Sequence, residues 1–400
     1  MPEARPALHA ESVPAPIRAV FDVLRAAGHE TWFVGGCVRD LLRGVPVVDF
    51  DAATAATPDA VLALFPRAVP IGVRHGTVMI PTRDGPCDVT TFRGGATLAD
   101  DLAHRDFSIN AIAWNPATGE VVDPHGGRAD LARGVLRAVG AAADRFAEDP
   151  LRALRAARIV AALDFEPDAA IEPAMAGVRG AVRRVARERI RHELAVLTVS
   201  PRAGRGIALL RRTGIEADLL PGAAEDAARI VDALPRDLEL RLAAWLRRTH
   251  AEVTLTRLRF PKRTALAVAR LVALHPIDAR PLRGDGDLRR LLHRAGETGV
   301  EHLLLLREAE RGERLDALRE RFERLREEAA RAGGRVELAL DGAAVMRALG
   351  CGPGPRVGEA LRHLIDRILE DPSCNTAPAL TALLHEWARR TGTRDAARAR

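Results

Sequence analysis

The 400-residue sequence has no tyrosine, 4 cysteines and a single lysine, Lys262, among its 60 basic residues. The cysteines lie far apart without paired spacing, which argues against a disulfide framework or a zinc site and is typical of a reducing compartment. No apolar run reaches about 18 residues, so the sequence predicts no membrane-spanning helix. The first residues contain charges but no apolar segment, so we expect no secretory signal and a cytoplasmic location.

The basic residues are almost all arginine, and the formal net charge is +6. Arginine binds phosphate through two N–H groups and stays charged, so a nucleotide or nucleic acid is a reasonable partner. A GC-rich genome that encodes every cation as arginine explains the same bias, so composition leaves both explanations open. The aromatic content of 4% argues against stacking on single-stranded bases and favours recognition of a folded RNA by shape.

Both strand and helix patterns occur through about residue 140, and only helical patterns occur after it. The periodicity predicts a helix at 16–30, strands at 31–36 and 47–53, a short helix at 37–44 and a hairpin at 76–93. The remaining chain is rich in Ala, Leu and Arg, with Gly and Pro interruptions at 273–287 and 350–355. The sequence therefore predicts an α/β or α+β head followed by a long helical body.

Two aspartates, Asp49 and Asp51, lie one residue apart in the apolar stretch at 47–53. Residues i and i+2 of a strand face the same side, so both carboxylates should project together while Phe50 turns into the core. Such carboxylates repel each other unless a cation lies between them, and Mg²⁺ takes oxygen ligands of this kind together with substrate phosphates. A strand end with two solvated carboxylates is the alternative interpretation.

The residues just before this pair add a second feature of nucleotide sites. Gly35 and Gly36 end a predicted strand and open a helix, where missing side chains let a triphosphate approach backbone N–H groups. Arg39 follows one turn later. A glycine pair alone is common in turns, but glycines, an arginine and paired aspartates within seventeen residues point to a metal-assisted phosphate site.

The segment FVGGCVRDLLRGVPVVDFDAATAATPDAV resembles the signature of class II tRNA nucleotidyltransferases and the related bacterial poly(A) polymerases, members of the DNA-polymerase-β-like superfamily. Further segments, in order, are similar to later motifs of this family: DLAHRDFSINAIAWN, RFAEDPLRALRAARIVAALDF and RERIRHEL. The resemblance is nearly continuous over residues 32–195. It implies an α+β fold with a polymerase-β-like nucleotidyltransferase head, a mixed sheet with helices, followed by an elongated all-helical neck, body and tail.

The resemblance also implies a division of the chain into four parts. They are a catalytic head at 1–140, a helical neck with the base-recognition helix at 141–200, a helical body at 201–275, and a helical tail at 276–400 that binds tRNA. Nothing in the sequence indicates an oligomeric state.

The implied activity is template-independent, Mg²⁺-dependent addition of the CCA 3′ end, or of its CC part, to tRNA from CTP and ATP. Asp49 and Asp51 would be the catalytic residues that hold Mg²⁺. The residues that would bind the nucleotide in the head are Gly35, Gly36, Arg39 and Arg105. Asp88 lies near the family's third acidic position, where glutamate is usual, and is either a further ligand or a satisfied strand residue.

The resemblance assigns recognition of the incoming base to Asp149 and Arg152. A carboxylate and a guanidinium complement the amine donor and ring-nitrogen acceptor that cytosine and adenine share, but mismatch guanine and uracil. Arg155 and Arg158 follow on the same predicted helix and would bind phosphates or brace this pair. Asp149 before Pro150 is also a good helix cap, and both roles can hold.

Six arginines between 179 and 191 are expected on one helical stretch, which suits an RNA backbone or an ordinary solvated face equally well. They are Arg179, Arg183, Arg184, Arg187, Arg189 and Arg191.

The sequence departs from the family in two places. His104 replaces an arginine beside Arg105, which should weaken phosphate contact without removing the chemistry. The link at 94–100 is much shorter than the flexible loop of most CCA-adding members, and such shortening marks the branch that adds only CC. Full CCA addition by another element is the alternative. The short link disfavours a poly(A) polymerase, which must use ATP.

Two other activities receive less support. An inactive, RNA-binding module would need neither the paired aspartates nor the glycine pair. A phosphohydrolase domain of the type that some family members append is not predicted, because no His-Asp dipeptide occurs.

Overall fold

The structure is a computed structural model that describes residues 8–72, 76–331 and 338–398. The chain folds as two compact units, residues 1–241 with 253–261 and residues 242–252 with 262–400. The strands are β1 (Thr31–Val34), β2 (Phe50–Thr54), β3 (Val69–Gly72), β4 (Thr77–Thr82), β5 (Gly85–Thr91), β6 (Ala113–Trp114), β7 (Val121–Val122), β8 (Val135–Leu136) and β9 (Glu166–Pro167).

The helices up to residue 233 are α1 (Ala15–Ala26), α2 (Gly36–Leu42), α3 (Pro58–Leu64), α4 (Leu98–Ala103), α5 (Gly127–Arg133), α6 (Ala142–Glu148), α7 (Leu151–Leu163), α8 (Ile171–Val182), α9 (Arg187–Val199), α10 (Ala203–Arg212), α11 (Ile215–Leu219) and α12 (Ala227–Ala233). The later helices are α13 (Leu238–Leu246), α14 (Ala251–Arg257), α15 (Lys262–Leu274), α16 (Asp285–Ala295), α17 (Glu297–Arg311), α18 (Asp316–Arg331), α19 (Gly342–Leu349), α20 (Pro355–Glu370) and α21 (Ala377–Arg398).

Seven strands of the described chain form one mixed sheet in the order β3-β4-β5-β2-β1-β6-β7. β2 and β5 are parallel, and the other neighbouring pairs are antiparallel. Asp51 of β2 lies directly opposite Asp88 of β5 in this register. The mixed sheet and the helices that follow it confirm the predicted α+β class.

Side-chain alternation along β1 and β2 places apolar residues on both faces of the sheet. Phe33 and Phe50 belong to the cluster packed on α1, with ring centroids 5.7 Å apart. Trp32 lies on the opposite face, in a cluster with Leu98 of α4. Because Asp51 follows Phe50, its side chain belongs to the α4 face. Burial on both faces explains why these strands are short apolar runs.

The predicted elements of the head are found with small shifts. The helix predicted at 16–30 is α1, and the predicted hairpin is β4 and β5. The strand predicted from residue 47 starts only at Phe50, because its ladder with β5 begins at the Phe50–Cys87 pair. Val48 lies outside that ladder and is 78% exposed.

Helices dominate the rest of the chain, as the periodicity predicts. The neck is not all-helical as expected, because β9 pairs with β8 in a two-stranded parallel sheet. In the second unit, α19, α20 and α21 share an apolar cluster that includes Val345, Leu364 and Leu384. The predicted interruptions at 273–287 and 350–355 contain the connections between α15 and α16 and between α19 and α20. No helix within the described ranges is long and apolar enough to cross a membrane. The boundaries of neck, body and tail stay a prediction.

Candidate active site

A cavity of about 720 Å³ opens in the first unit beside the glycine turn between β1 and α2. All ten residues singled out from the sequence line it: Gly35, Gly36, Arg39, Asp49, Asp51, Arg105, Asp149, Arg152, Arg155 and Arg158. Asp88 lines it as well. The fold therefore collects residues that are up to 123 positions apart in the sequence into one place.

Asp49 and Asp51 lie at the start of β2, and Asp88 lies in the middle of the neighbouring parallel strand β5. Burial, together with the negative charges of Asp88 and Asp49, raises the pKa of Asp51 from 3.8 to about 6, although the charges of Arg105 and Arg93 oppose this shift. Burial and Asp49 also raise the pKa of Asp88. Among the described residues, none donates a hydrogen bond to the Asp51 carboxylate. The negative charge at this place is therefore only partly compensated by the protein.

This donor set fits a hard divalent cation. Carboxylate oxygens are the ligands that Mg²⁺ prefers, and a cation would stabilise the ionised form of Asp51. Across the described ranges, no group of three or more His, Cys, Asp or Glu residues is arranged as a complete metal site. A cation held here would therefore complete its coordination with water or substrate oxygens, as Mg²⁺ usually does.

The glycine turn leaves open space next to these carboxylates. Gly35 has φ +80°, in the region that favours glycine. A Cβ at Gly35 would lie 2.8 Å from Arg105 Nη1 and 3.4 Å from Asp51 Oδ2. Any other residue would therefore strain the backbone and push into the space shared by Asp51 and Arg105.

The two head arginines predicted to bind nucleotide, Arg39 and Arg105, are held by hydrogen bonds to neighbouring residues. Arg39 donates from Nη1 to Asn110 Oδ1 at 2.8 Å and from Nη2 to Asp40 Oδ2 at 2.7 Å. Arg105 donates from Nε and Nη2 to Asp101 Oδ2 at 3.0 and 2.9 Å. Both guanidinium groups are thus fixed before any anion binds, which lowers the entropic cost of binding one.

A polar network links this part of the cavity to the helices that follow. Asn110 Nδ2 donates to Asp106 Oδ1 at 3.1 Å, and Arg155 Nε donates to Asp106 Oδ2 at 2.7 Å. Arg158 Nε donates to Glu193 Oε2 of α9 at 2.5 Å. Asn110 therefore connects Arg39 to Asp106 by accepting from Arg39 and donating to Asp106.

The charges of this network shift two pKa values in opposite directions. Burial alone would raise the pKa of Asp106, but the charge of Arg155 and hydrogen bonds from Asn110, Arg155 and the Phe107 N–H outweigh it and lower the value to about 2. Asp106 in turn raises the pKa of Arg155. The pair is therefore ionised at neutral pH.

Asp149 lies between α6 and α7, where it makes two contacts. Its Oδ1 accepts from the Leu151 N–H at 3.1 Å, and its Oδ2 pairs with Arg189 Nη2 at 2.8 Å. The first contact is the local capping role that the Asp-Pro pattern suggests, and the second comes from α9. The carboxylate also lines the cavity, so the same side chain caps the start of α7 and faces the space open to a ligand.

Arg152, the second residue of α7, is fixed by three acceptors. Its Nη2 donates to the His104 carbonyl oxygen at 2.9 Å, and its Nη1 donates to Glu148 Oε2 and to the Arg145 carbonyl oxygen at 3.2 Å each. His104 thus contributes its backbone here, while its ring Nδ1 lies 2.8 Å from the Asp100 carbonyl oxygen.

The arginines between 179 and 191 do not lie on one helix, so that expectation is wrong. α8 ends at Val182 and α9 begins at Arg187. Arg179 pairs with Asp218, and Arg191 Nη1 donates to the Arg259 carbonyl oxygen at 2.9 Å. Several of these arginines therefore stabilise contacts within the first unit.

Sequence reasoning missed Arg93, Asp101 and Glu193. Arg93 lines the cavity and pairs with Asp101, which also binds Arg105. The i,i+4 spacing of Asp101 and Arg105 was the one local signal for this cluster.

Comparisons with known proteins identify the family of this chain. The family model for the poly A polymerase head domain matches residues 31–137, and the model for the probable RNA and SrmB-binding site of polymerase A matches residues 164–226. The CC-adding tRNA nucleotidyltransferase of Shouchella clausii is 46% identical over 191 residues, 48% of this chain and 50% of that protein. The CCA-adding enzyme of Anoxybacillus flavithermus is 38% identical over 249 residues, 57% of this chain and 62% of that protein. The chain thus matches between half and about three fifths of the length of these two relatives.

A third relative aligns almost end to end. The CCA-adding enzyme of Limosilactobacillus fermentum is 31% identical over 395 residues, 91% of this chain and 96% of that protein. The chain belongs to the CCA-adding tRNA nucleotidyltransferase family. The crystal structure of the Bacillus stearothermophilus CCA-adding enzyme in complex with CTP superposes with a TM-score of 0.78 and 31% identity, covering 96% of this chain and 100% of that chain. The family resemblance inferred from the sequence is confirmed, and this tRNA nucleotidyltransferase family is generally metal-dependent.

Proposed function

We propose that this chain transfers CMP from CTP to the 3′ end of tRNA without a nucleic-acid template. The observation that carries the proposal is the single cavity that combines paired acidic residues, a glycine turn, fixed arginines and the Asp149–Arg152 pair. The relatives named CC-adding and CCA-adding enzymes support it. The substrates tRNA, CTP and ATP belong to the cytoplasm, so a cytoplasmic location is part of the proposal.

In the proposed reaction, the 3′-hydroxyl oxygen of the tRNA forms a bond to the α-phosphorus of CTP. The bond from this phosphorus to the bridging oxygen breaks, pyrophosphate leaves, and the hydroxyl proton is released. Arg39 and Arg105 bind the triphosphate and stabilise the charge that develops on the leaving pyrophosphate. Gly35 and Gly36 allow the phosphates to approach the backbone.

Asp49 and Asp51 would hold Mg²⁺, and Asp88 lies opposite Asp51 in the neighbouring strand. When bound, Mg²⁺ would supply activation of the hydroxyl and neutralisation of phosphate charge. The raised pKa of Asp51 supports this assignment, because a buried carboxylate beside other acidic groups is stabilised by a cation.

Asp149 and Arg152 would select the base. An ionised carboxylate has about four acceptor positions, so the contacts of Asp149 with Leu151 and Arg189 leave room for the amine of cytosine. Arg152 would donate to the ring nitrogen and carbonyl oxygen on the same edge. Uracil presents a carbonyl oxygen where cytosine has its amine, which would leave buried polar groups without partners and so oppose binding. Arg155 and Arg158, held by Asp106 and Glu193, would keep α7 in position or contact phosphates.

We further propose that addition stops after CC. The short link leads into α4, whose start is fixed by the Thr97–Asp100 capping box. The residue after α4 is His104, whose carbonyl holds Arg152. Such a rigid connection favours one arrangement of the base-recognition residues. The match to a CC-adding relative supports this choice, while the end-to-end match to a CCA-adding relative keeps full CCA addition as the competing hypothesis.

One assay tests the function and the choice between CC and CCA. Purified protein receives tRNA that lacks its 3′ CCA end, with Mg²⁺ and CTP alone, ATP alone, or both. Addition of two nucleotides from CTP, with no third when ATP is present, supports CC addition. A third nucleotide from ATP shows CCA addition, and ATP-only tailing shows a poly(A) polymerase. Absence of incorporation, with tRNA binding retained, would identify an RNA-binding module.

A further inference from the structure

Asp101 in α4 connects two arginines that reach the cavity from different segments. Its side chain is fully buried, with 0% exposure. Arg93, after β5, lies with Nε 3.1 Å from Asp101 Oδ1, and Arg105 lies with Nη2 2.9 Å from Asp101 Oδ2. The Arg93 backbone N–H also donates to Oδ1 at 3.3 Å. One carboxylate therefore holds two guanidinium groups, each bound to a different oxygen.

This cluster has more positive than negative charge, and part of it faces open space. The Arg93 side chain is 45% exposed, and its two Nη groups donate no hydrogen bond to any residue in the described ranges. Burial and the positive charge of Arg105 lower the pKa of Arg93, although Asp101 opposes this. An anion placed against the two guanidinium groups would relieve that repulsion.

The position of Arg105 indicates which anion this is. Arg105 Nη1 lies 2.8 Å from the place of a Gly35 Cβ, at the turn where the triphosphate is proposed to bind. Arg93 lines the same cavity as Arg105, Gly35 and Asp51, so its guanidinium faces the site where the phosphates are proposed to bind. A planar guanidinium with free N–H groups binds phosphate through two parallel hydrogen bonds.

We infer that Arg93 is a further phosphate-binding residue for the triphosphate and the pyrophosphate product, and that Asp101 is the positioning residue that holds Arg93 and Arg105 together. This inference rests on the proposed function and extends it. A tRNA backbone phosphate is the competing ligand, and the experiment separates the two.

The test compares Arg93→Ala and Arg93→Lys with the wild type in CMP incorporation. Inorganic pyrophosphate serves as the probe for the phosphate site, through its inhibition constant against CTP. A lost charge-assisted hydrogen bond of about 1.5–3 kcal/mol corresponds to about a 10- to 100-fold weaker interaction. We expect Arg93→Ala to raise both the KM for CTP and the inhibition constant of pyrophosphate by about this factor, with the KM for tRNA unchanged. Arg93→Lys should recover part of the loss.

The matched control is Arg67→Ala, which removes the same charge from an exposed position outside the cavity and should change neither constant. Asp101→Asn tests positioning: it should raise the KM for CTP without changing the KM for tRNA, while thermal unfolding shows that the protein remains folded. Unchanged CTP and pyrophosphate constants in Arg93→Ala overturn the inference, as does a rise confined to the KM for tRNA. A wild type that incorporates no CMP contradicts the proposed function itself, which distinguishes the two failures.

Discussion

Arg152 donates a hydrogen bond from Nη2 to the backbone carbonyl oxygen of His104 at 2.9 Å. The His104 ring packs so closely on Gly94 that a Cβ there would lie 1.8 Å from His104 Cε1. The short link that begins at Gly94 is therefore in contact with the residue that supports Arg152. A substitution in the link should therefore alter base recognition through this contact.

Gly94→Ala is expected to displace His104 and to lower kcat/KM for CTP by about tenfold, the loss for one weakened hydrogen bond to a charged group. The KM for tRNA should stay the same. Gly119→Ala is the matched control, because Gly119 has a similar φ of +74° against +76° at Gly94 but no neighbour within 4 Å of its Cβ position. Equal losses in both variants would show that backbone strain, rather than the His104 contact, is responsible.

Arg152→Ala is expected to reduce discrimination between CTP and UTP. A bidentate contact to a base edge contributes about 1–3 kcal/mol of discrimination, so the ratio of kcat/KM for the two nucleotides should fall by about 10- to 100-fold. Competition between CTP and UTP on one tRNA measures this ratio directly. An unchanged ratio, with only the KM for tRNA raised, would contradict the assignment and place Arg152 on the RNA instead.

The head could be predicted from the sequence because its signals are local. Alternation fixes the faces of β1 and β2, and the glycine pair with Asp49 and Asp51 lies within one short segment. Asp101 was not found, because its role depends on Arg93 and Arg105 meeting at one carboxylate. The ion pair of Asp149 with Arg189 joins the α6–α7 connection to α9 across 40 positions, which no periodicity reveals.

The boundary between α8 and α9 could not be predicted from the sequence, for a physical reason. Residues 183–186 separate α8 from α9 but contain neither glycine nor proline. The sequence therefore continues in a pattern typical of one helix and contains no local signal for the break. The role of each site residue in chemistry likewise stays a prediction until it is measured.

Asp51→Asn is expected to stabilise the metal-free protein above about pH 6. The folded-state pKa of Asp51 is raised from 3.8 to about 6. Well below pH 4 the carboxyl is protonated in both the folded and the unfolded state and does not change the free energy of unfolding. Above about pH 6 it is charged at its buried position in the folded state, which lowers the free energy of unfolding. The contribution of this group to stability therefore declines as pH rises through that window, by roughly 1–3 kcal/mol in total.

Thermal unfolding in EDTA at several pH values measures this effect, with exposed Asp84→Asn as control. Mg²⁺ should raise the melting temperature of the wild type but not of Asp51→Asn, because binding to the folded state alone stabilises it. The variant should also lose CMP incorporation. If Mg²⁺ also raises the melting temperature of Asp51→Asn, the metal assignment is wrong.

Asp106→Asn is expected to destabilise the protein at neutral pH. The lowered pKa of Asp106, about 2 against 3.8, means that its stabilising contribution is complete above about pH 5 and is lost as pH falls towards 2. The difference from the wild type should be about 2 kcal/mol at pH 7 and should shrink in acid. Urea unfolding at pH 7 and pH 3 tests this, and a pH-independent difference would show that packing, not charge, is lost.

Gly206→Ala is expected to loosen the packing of α10 on α7. A Cβ at Gly206 would lie 2.6 Å from the Ala157 carbonyl oxygen and 3.0 Å from the Ala161 Cβ. Because neither neighbour is the end of a flexible side chain, the helices must separate, at a cost of about 1–3 kcal/mol. Gly177→Ala in α8 is the matched control: nothing lies within 4 Å of its Cβ position, so the better helix propensity of alanine should stabilise by about 0.5–1 kcal/mol. Since α7 also carries Arg152, the CTP-to-UTP ratio of Gly206→Ala should fall along with stability, whereas a destabilised variant with intact discrimination would show that base recognition does not depend on this packing.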